Sequence, residues 1–315
     1  MKNRELLRSR VTSPLCLMLL LAEILVLLCK ILYYICESVY KLFALKRKSV
    51  AGEIVLVTGA GHGIGKELAI GYALLGAIVI CWDINEETNE QTRNEIRKMG
   101  KNSVYAYRCD ITNREEVSKV AEKVKKEVGD VTILINNAGV GIVKTLLNYS
   151  NDEITRKINT NLTAHYWTLR AFLPNMIEKN HGHVVAVSSL LAIVTSMYMT
   201  VYSPTKSAVR ALMESLDEEL RLSSKGKSLI KFTTVFPTVV FNGMFRKPNM
   251  RFPSLANPLL PKEAASLIID AQRRNCRERG IPSHLLPLIT TLRNLPDKAQ
   301  ECVKDFVDMS IEPDN

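Results

Sequence analysis

A short apolar run, Glu53-Ile54-Val55-Leu56-Val57-Thr58, leads straight into Gly59-Ala60-Gly61-His62-Gly63-Ile64-Gly65, and no other stretch constrains the fold as much. An apolar run without polar alternation suits a central parallel strand, buried on both faces. The glycines allow a tight turn and let backbone N–H groups approach a pyrophosphate at the N-terminus of the next helix, which reads through Tyr72. A second apolar run, Ala77 to Trp82, ends at Asp83, about 20 residues past the glycines. A carboxylate there accepts hydrogen bonds from both hydroxyls of an adenosine ribose and repels a 2′-phosphate, so it selects NAD over NADP. A turn or helix-capping role for Asp83 would leave that spacing unexplained.

Strand and helix then alternate. Residues 86–99 read as a polar helix, 103–107 as a strand ending at Cys109-Asp110-Ile111, about 113–128 as a charged helix, and 131–135 as an apolar strand. Asn136-Asn137-Ala138-Gly139 follows at the strand's C-terminal end, where open sheets of this kind bind ligands. One long helix is expected from Asp152 to Met176, carrying Asn159 and Asn161, and then the strand His183–Val187 ending at Ser188-Ser189. The helix from Tyr202 to about Ser223 and the strand Leu229–Phe236, stopped by Pro237, continue the pattern. The alternation predicts an α/β fold: a doubly wound parallel sheet with helices on both faces.

Tyr202-Ser203-Pro204-Thr205-Lys206 places an ammonium one helical turn after a phenol. Such a neighbour favours the phenolate and makes a general acid/base of a group whose pKa is ordinarily about 10.

Residues 15–36 are long enough to cross a bilayer as a helix, although Glu23 and Lys30 interrupt them. In residues 1–50 nine Lys/Arg stand against three Glu, more than half of the chain's net charge of +10. Basic residues on both flanks suit anionic headgroups but cannot orient the segment, so spanning and monotopic modes are both open. A nucleic-acid partner would need basic clusters across the folded domain, and none is evident. The seven cysteines form no Cys-x-x-Cys, and the five histidines lack ligand spacing. Reduced thiols, a cytosol-facing domain and no metal site are therefore expected.

Together Thr58-Gly-x-x-x-Gly63-x-Gly65, Asp110, Asn136-Asn-Ala-Gly139, Ser189 and Tyr202-x-x-x-Lys206 resemble the short-chain dehydrogenase/reductase family over about residues 52–285. Lys48-Ser-Val-Ala-Gly-Glu-Ile-Val, Trp82-Asp-Ile-Asn, Ala171-Phe-Leu-Pro174 and His181-Gly-His183 look like its membrane-associated branch, which contains 17-beta-hydroxysteroid dehydrogenases and retinol dehydrogenases. The resemblance implies a Rossmann fold and a nicotinamide-dependent alcohol dehydrogenase, with the Asp83 charge favouring NAD over NADP. It implies that Tyr202 exchanges a proton with the substrate oxygen, Ser189 hydrogen-bonds that oxygen, Lys206 holds the nicotinamide ribose and Asn161 continues a proton relay. Gly59, Gly63, Ile64, Gly65, Asp83, Asp110, Ile111, Asn137, Gly139 and Pro237 would border the cofactor. Asn242 stands where the family has a threonine for the carboxamide, and Leu190-Leu191-Ala192-Ile193 replaces the usual small residues after the serine.

Met197, Met199, Phe241, Met244, Phe245, Met250 and Phe252 suggest a lipophilic substrate, of which Met197 and Met244 are the candidate contacts. The expected organisation is an anchor at 1–45, a dehydrogenase domain at 46–285 with an apolar lid at about 241–260, and an amphipathic tail at 286–315. Lys262 to Arg274 reads as a helix, Ile281-Pro282 as the seventh strand, and His181-Gly-His183 as a turn feature. The resemblance further implies a homodimer on the endoplasmic reticulum membrane or a lipid droplet; a cytosol-facing domain leaves the sequon Asn148-Tyr149-Ser150 unmodified. Two alternatives stay open: a membrane-surface scaffold with weak catalysis, and an NADPH-dependent reductase.

Overall fold

The computed structural model describes residues 14–44, 46–241, 248–249, 251, 258–308 and 310–311. The chain divides into two compact units, Met1–Arg47 and Lys48–Asn315. In the first, helix α1 (Pro14–Ala44) contains Leu17–Glu37, long and apolar enough to cross a membrane, with none of that window buried.

The second unit is built on seven parallel strands: β1 (Ile54–Thr58), β2 (Ile78–Asp83), β3 (Val104–Arg108), β4 (Ile133–Asn136), β5 (His183–Val187), β6 (Lys231–Pro237) and β7 (Glu278–Ile281). Their spatial order is β3-β2-β1-β4-β5-β6-β7. The chain winds outward from β1 to one edge and then from β4 to the other, so a crevice opens where β1 and β4 diverge.

Successive side chains of a strand face opposite sides, and both sides are buried. Val55, Val57, Val79, Ile133, Ile135 and Val185 pack under α2 (Gly63–Leu74) and α8 (Pro261–Arg273), through residues such as Leu68 and Ile268. Leu56, Ile80, Trp82, Leu134, Val184 and Phe232 pack against α4 (Arg114–Glu127), α6 (Ala164–Glu178) and α7 (Tyr202–Ser223), through Val124, Phe172 and Val209. This two-sided burial is why the strands read as continuous apolar runs.

Helix starts follow local chemistry. Asn85 caps α3 (Glu86–Lys98) by accepting from the Thr88 N–H at 3.1 Å, and Asn113 caps α4 by accepting from Glu116 at 3.0 Å. Helix α5 (Asn151–Ile158) opens on a Ser150/Glu153 capping box.

The structure corrects two local expectations. The long helix over Asp152–Met176 is interrupted by a π-helical turn at Asn159–Thr163, which separates α5 from α6. A π turn inserts a residue into the helical ladder and re-aims the side chains within it; Asn161 lies there. His183 read both as part of a turn and as the start of a strand, and only the strand reading holds. It begins β5, is buried, and sits between Thr233 Oγ1 at 2.8 Å and Lys48 Nζ at 2.9 Å.

The tail folds as α9 (Leu285–Arg293) and α10 (Asp297–Val307). Leu285 and Ile289 pack with Leu190, Ile193 and Phe236, and the Arg293 guanidinium donates to the Ile193 carbonyl.

Candidate active site

The turn between β1 and α2 is held by backbone geometry. Gly59 has φ +68° and Gly63 φ +56°, the left-handed region where a side chain is strained. A Cβ on Gly65 would stand 1.9 Å from the Gly59 carbonyl oxygen, so only glycine lets helix and turn meet. His62 makes no side-chain cap, and the first turn of α2 carries no acid. Its backbone N–H groups and helix dipole are thus available to an anion.

At the end of β2, Asp83 is buried. Its Oδ2 accepts from the Gly61 N–H at 2.8 Å and its Oδ1 from the Asn85 N–H at 2.9 Å. Asp83 therefore serves the glycine turn and the helix cap at once, while still lining the cleft. Asp110 bonds to Thr112 through both its N–H, 2.9 Å, and its hydroxyl, 2.7 Å. Asn137 ties the divergence of β1 and β4: its N–H donates to Thr58 Oγ1 at 3.0 Å and its Nδ2 to the Thr58 carbonyl at 2.9 Å.

The two serines after β5 separate by role. Ser188 Oγ donates to the Lys206 carbonyl at 2.9 Å and braces α7. Ser189 accepts from the Leu191 N–H at 3.2 Å and hydrogen-bonds the Tyr202 side chain. Tyr202 is the first residue of α7, and both it and Lys206 are buried.

Burial pushes the Tyr202 phenol up to about 12, against the opposing Ser189 hydrogen bond, and pushes Lys206 down to about 8. Desolvation outweighs the neighbour: the Lys206 Nζ lies 5.7 Å from the centre of the Tyr202 ring and donates to the Val187 carbonyl at 2.9 Å. Asn161 is fully buried, its Nδ2 donating to the Val140 carbonyl at 3.0 Å and its Oδ1 accepting from the Val140 N–H at 2.8 Å.

One cavity of ≈ 1340 Å³ joins these groups. Gly59, Gly63, Ile64, Gly65, Asp83, Asp110, Ile111, Asn137 and Gly139 line it, as do Ser189, Tyr202, Lys206, Pro237 and the largely exposed Met197. Asn161 stands behind the wall, where a Cβ on Gly139 would come within 3.2 Å of its Oδ1. The family model described as short chain dehydrogenase matches residues 53–250, over the turn, Asn137, Ser189, Tyr202 and Lys206.

The chain belongs to the short-chain dehydrogenase family.

Among its relatives, short-chain dehydrogenase/reductase family 16C member 6 of Bos taurus is 45% identical over 74% of this chain and 73% of its own. Epidermal retinol dehydrogenase 2 of Mus musculus is 39% identical over 85% and 86%. 17-beta-hydroxysteroid dehydrogenase 13 of Homo sapiens is 38% identical over 94% and 97%. The chain is accordingly an oxidoreductase using a nicotinamide cofactor.

The residues present fit a dinucleotide. The glycine turn leaves a cradle that a Cβ would fill, the uncapped helix N-terminus suits a pyrophosphate, and Asp83 borders the cleft one strand away. Among the described residues no cluster of His, Cys, Asp and Glu could hold a metal.

Some site residues were not legible beforehand. Leu288, Ile289 and Leu292 of α9 and Gln300 and Val303 of α10 line the cavity. Their helical spacing marked an amphipathic face, but not what it would cover. Met199, one of the residues that suggested a lipophilic substrate, is buried in one cluster with Tyr202 and Val143. Of the expected lid, Phe241 is exposed; Asn242, Met244, Phe245, Met250 and Phe252 lie outside the described residues.

Proposed function

We propose that this chain is a membrane-anchored, NAD-dependent dehydrogenase that interconverts a lipophilic alcohol, of steroid or retinoid class, with its ketone or aldehyde. The observation that carries the reading is the hydrogen-bonded Ser189–Tyr202 pair with Lys206 behind it, in a cavity also lined by apolar side chains of α9 and α10. When bound, the nicotinamide accepts or supplies the hydride.

The rest falls to the chain's own groups. Tyr202 gives its proton to the substrate oxygen during reduction, and its phenolate form takes the proton from the hydroxyl during oxidation, while Ser189 donates to the same oxygen and stabilises charge developing there. Lys206 lies at the cavity wall, where its Nζ can turn from the Val187 carbonyl towards a ribose hydroxyl. Asn161 holds the wall at Val140 and continues the path for the proton. Asp83 receives the adenosine ribose hydroxyls and repels a 2′-phosphate, which is the support for NAD.

The apolar helix α1 supports anchoring, so that substrate is drawn from the lipid phase. The names of the retinol and 17-beta-hydroxysteroid dehydrogenase relatives support the substrate class. The reading includes a homodimer at the endoplasmic reticulum or lipid-droplet surface, with the catalytic unit facing the cytosol.

The test is NADH formation by purified full-length protein offered retinol and 17-beta-hydroxysteroids in mixed micelles. Formation with NAD but not NADP, lost in Tyr202→Phe, is the expected result. No turnover by wild type with either dinucleotide, across that panel, would overturn the reading.

A further inference from the structure

Between β4 and α5 the chain passes alongside the helical segment that follows it, and three side chains of that segment grip it at regular intervals. Asn161 bonds both backbone groups of Val140, at 2.8 and 3.0 Å. One turn earlier, Lys157 Nζ donates to the Ile142 carbonyl at 2.5 Å. A further turn back, Glu153 accepts from Lys144 Nζ at 2.7 Å. The helical partners step by four residues and the strap by two. Four helical residues rise about 6.0 Å and two extended ones about 6.6 Å, so the register holds across all three rungs.

Lys157 is the middle rung and is fully buried. Its Nζ also donates to the Tyr149 hydroxyl at 2.6 Å, and that hydroxyl bonds the same Ile142 carbonyl. The ammonium lies 4.5 Å from the centre of the Tyr149 ring, which adds a cation–π attraction. Lysine, tyrosine and carbonyl close a triangle that ties both ends of the strap.

Val143 follows Ile142 directly in the strap. It is buried and packs in one cluster with Met199 and Tyr202.

We propose that Lys157 is a positioning residue: by holding the Ile142 carbonyl it fixes Val143 against Tyr202, and so sets the placement and dryness of the phenol. The catalytic half of this proposal rests on the reading of Tyr202 given above; the clamp itself stands on geometry alone.

Full-length wild type, Lys157→Met and Val143→Ala are compared by hydrogen exchange of residues 138–149, by NAD affinity, and by kcat for retinol oxidation against pH. In Lys157→Met, exchange of the strap rises by about tenfold or more as local opening becomes easier. NAD affinity is unchanged, while kcat falls by about tenfold to a hundredfold through misplacement of the phenol. In both variants the rising limb of kcat moves to lower pH, because water reaching Tyr202 relieves the burial that raises its pKa. Val143→Ala leaves strap exchange unchanged, which separates the wall from the clamp.

Unchanged exchange in Lys157→Met overturns the clamp. Superimposable pH profiles in Val143→Ala and wild type overturn the link to Tyr202, and this arm decides that half even if Lys157→Met does not fold. A wild type that oxidises nothing would overturn the functional reading and this link with it, while the exchange measurement still decides the clamp.

Discussion

Lys206 Nζ lies 5.7 Å from the centre of the Tyr202 ring and donates to the Val187 carbonyl at 2.9 Å. Both groups are buried, and burial drives their pKa values towards the neutral forms, about 12 for the phenol and about 8 for the amine. The lysine has a stability consequence with a definite sign. Between its folded value and its ordinary 10.5, the unfolded chain binds a proton that the folded chain has released. Stability contributed by Lys206 therefore rises with pH across that window. Without dinucleotide, wild type should gain on Lys206→Met by on the order of 1 kcal/mol per pH unit from about pH 8 to 10, measured by urea unfolding. A constant difference over that range would show that Lys206 titrates normally.

His165 follows the same sign from the same cause, in a lower pH window. Buried on α6, with Lys206 adding repulsion, its imidazole is pushed down to about 3. As pH falls below 6.5 the unfolded chain takes up a proton that the folded chain refuses, so stability is lost progressively from pH 6.5 towards 3. His165→Leu should flatten the acid limb of thermal stability by on the order of 1 kcal/mol per pH unit below about pH 6. Parallel acid limbs in the two proteins would contradict this.

Asp83 joins the glycine turn to the cofactor cleft through Gly61. Asp83→Asn keeps an oxygen for one of the backbone donors but loses the charge that opposes a 2′-phosphate. NAD kcat/KM should fall by about tenfold or more and NADP kcat/KM should rise, on the scale of one charge-assisted hydrogen bond. Unaltered cofactor preference would remove Asp83 from the ribose site.

Helix α1 exposes Ile24 and Leu28 within its apolar window. Ile24→Arg with Leu28→Arg, in the full-length chain, should move protein from the membrane pellet to the supernatant, since an arginine at the centre of a span costs about 2.5–3.5 kcal/mol on insertion scales. NAD affinity should stay at the wild-type value, because the helix belongs to a separate compact unit. Retention in the pellet after a carbonate wash would count against the anchor.

The sheet was legible because each central strand is buried on both faces, which writes itself as an uninterrupted apolar run. The glycine turn, Asn137, Ser189, Tyr202 and Lys206 were legible because each follows such a run at a fixed distance, and all line one cavity. The π turn at Asn159–Thr163 was not, since its residues have the same spacing as an ordinary helix and differ only in the ladder they form. The tail was legible as amphipathic, but its contact with Ile193 and Phe236 depends on tertiary packing. His183 was legible as the start of a strand, but the turn reading of His181-Gly-His183 competed with it because histidine beside glycine resembles a turn; inside the fold Thr233 and Lys48 satisfy its ring. The strap clamped by Lys157 is long-range in effect but local in sequence; its two-to-four register becomes visible only when the segment lies against the helix.

The central claim is proton transfer at Tyr202, coupled to oxidation of a lipophilic alcohol. Its most direct measurement is NADH formation under saturating NAD and retinol or a 17-beta-hydroxysteroid, comparing wild type with Tyr202→Phe. The account predicts turnover by wild type and a loss of about a hundredfold or more in kcat for the variant, with NAD affinity intact. Equal kcat in the two proteins would contradict it.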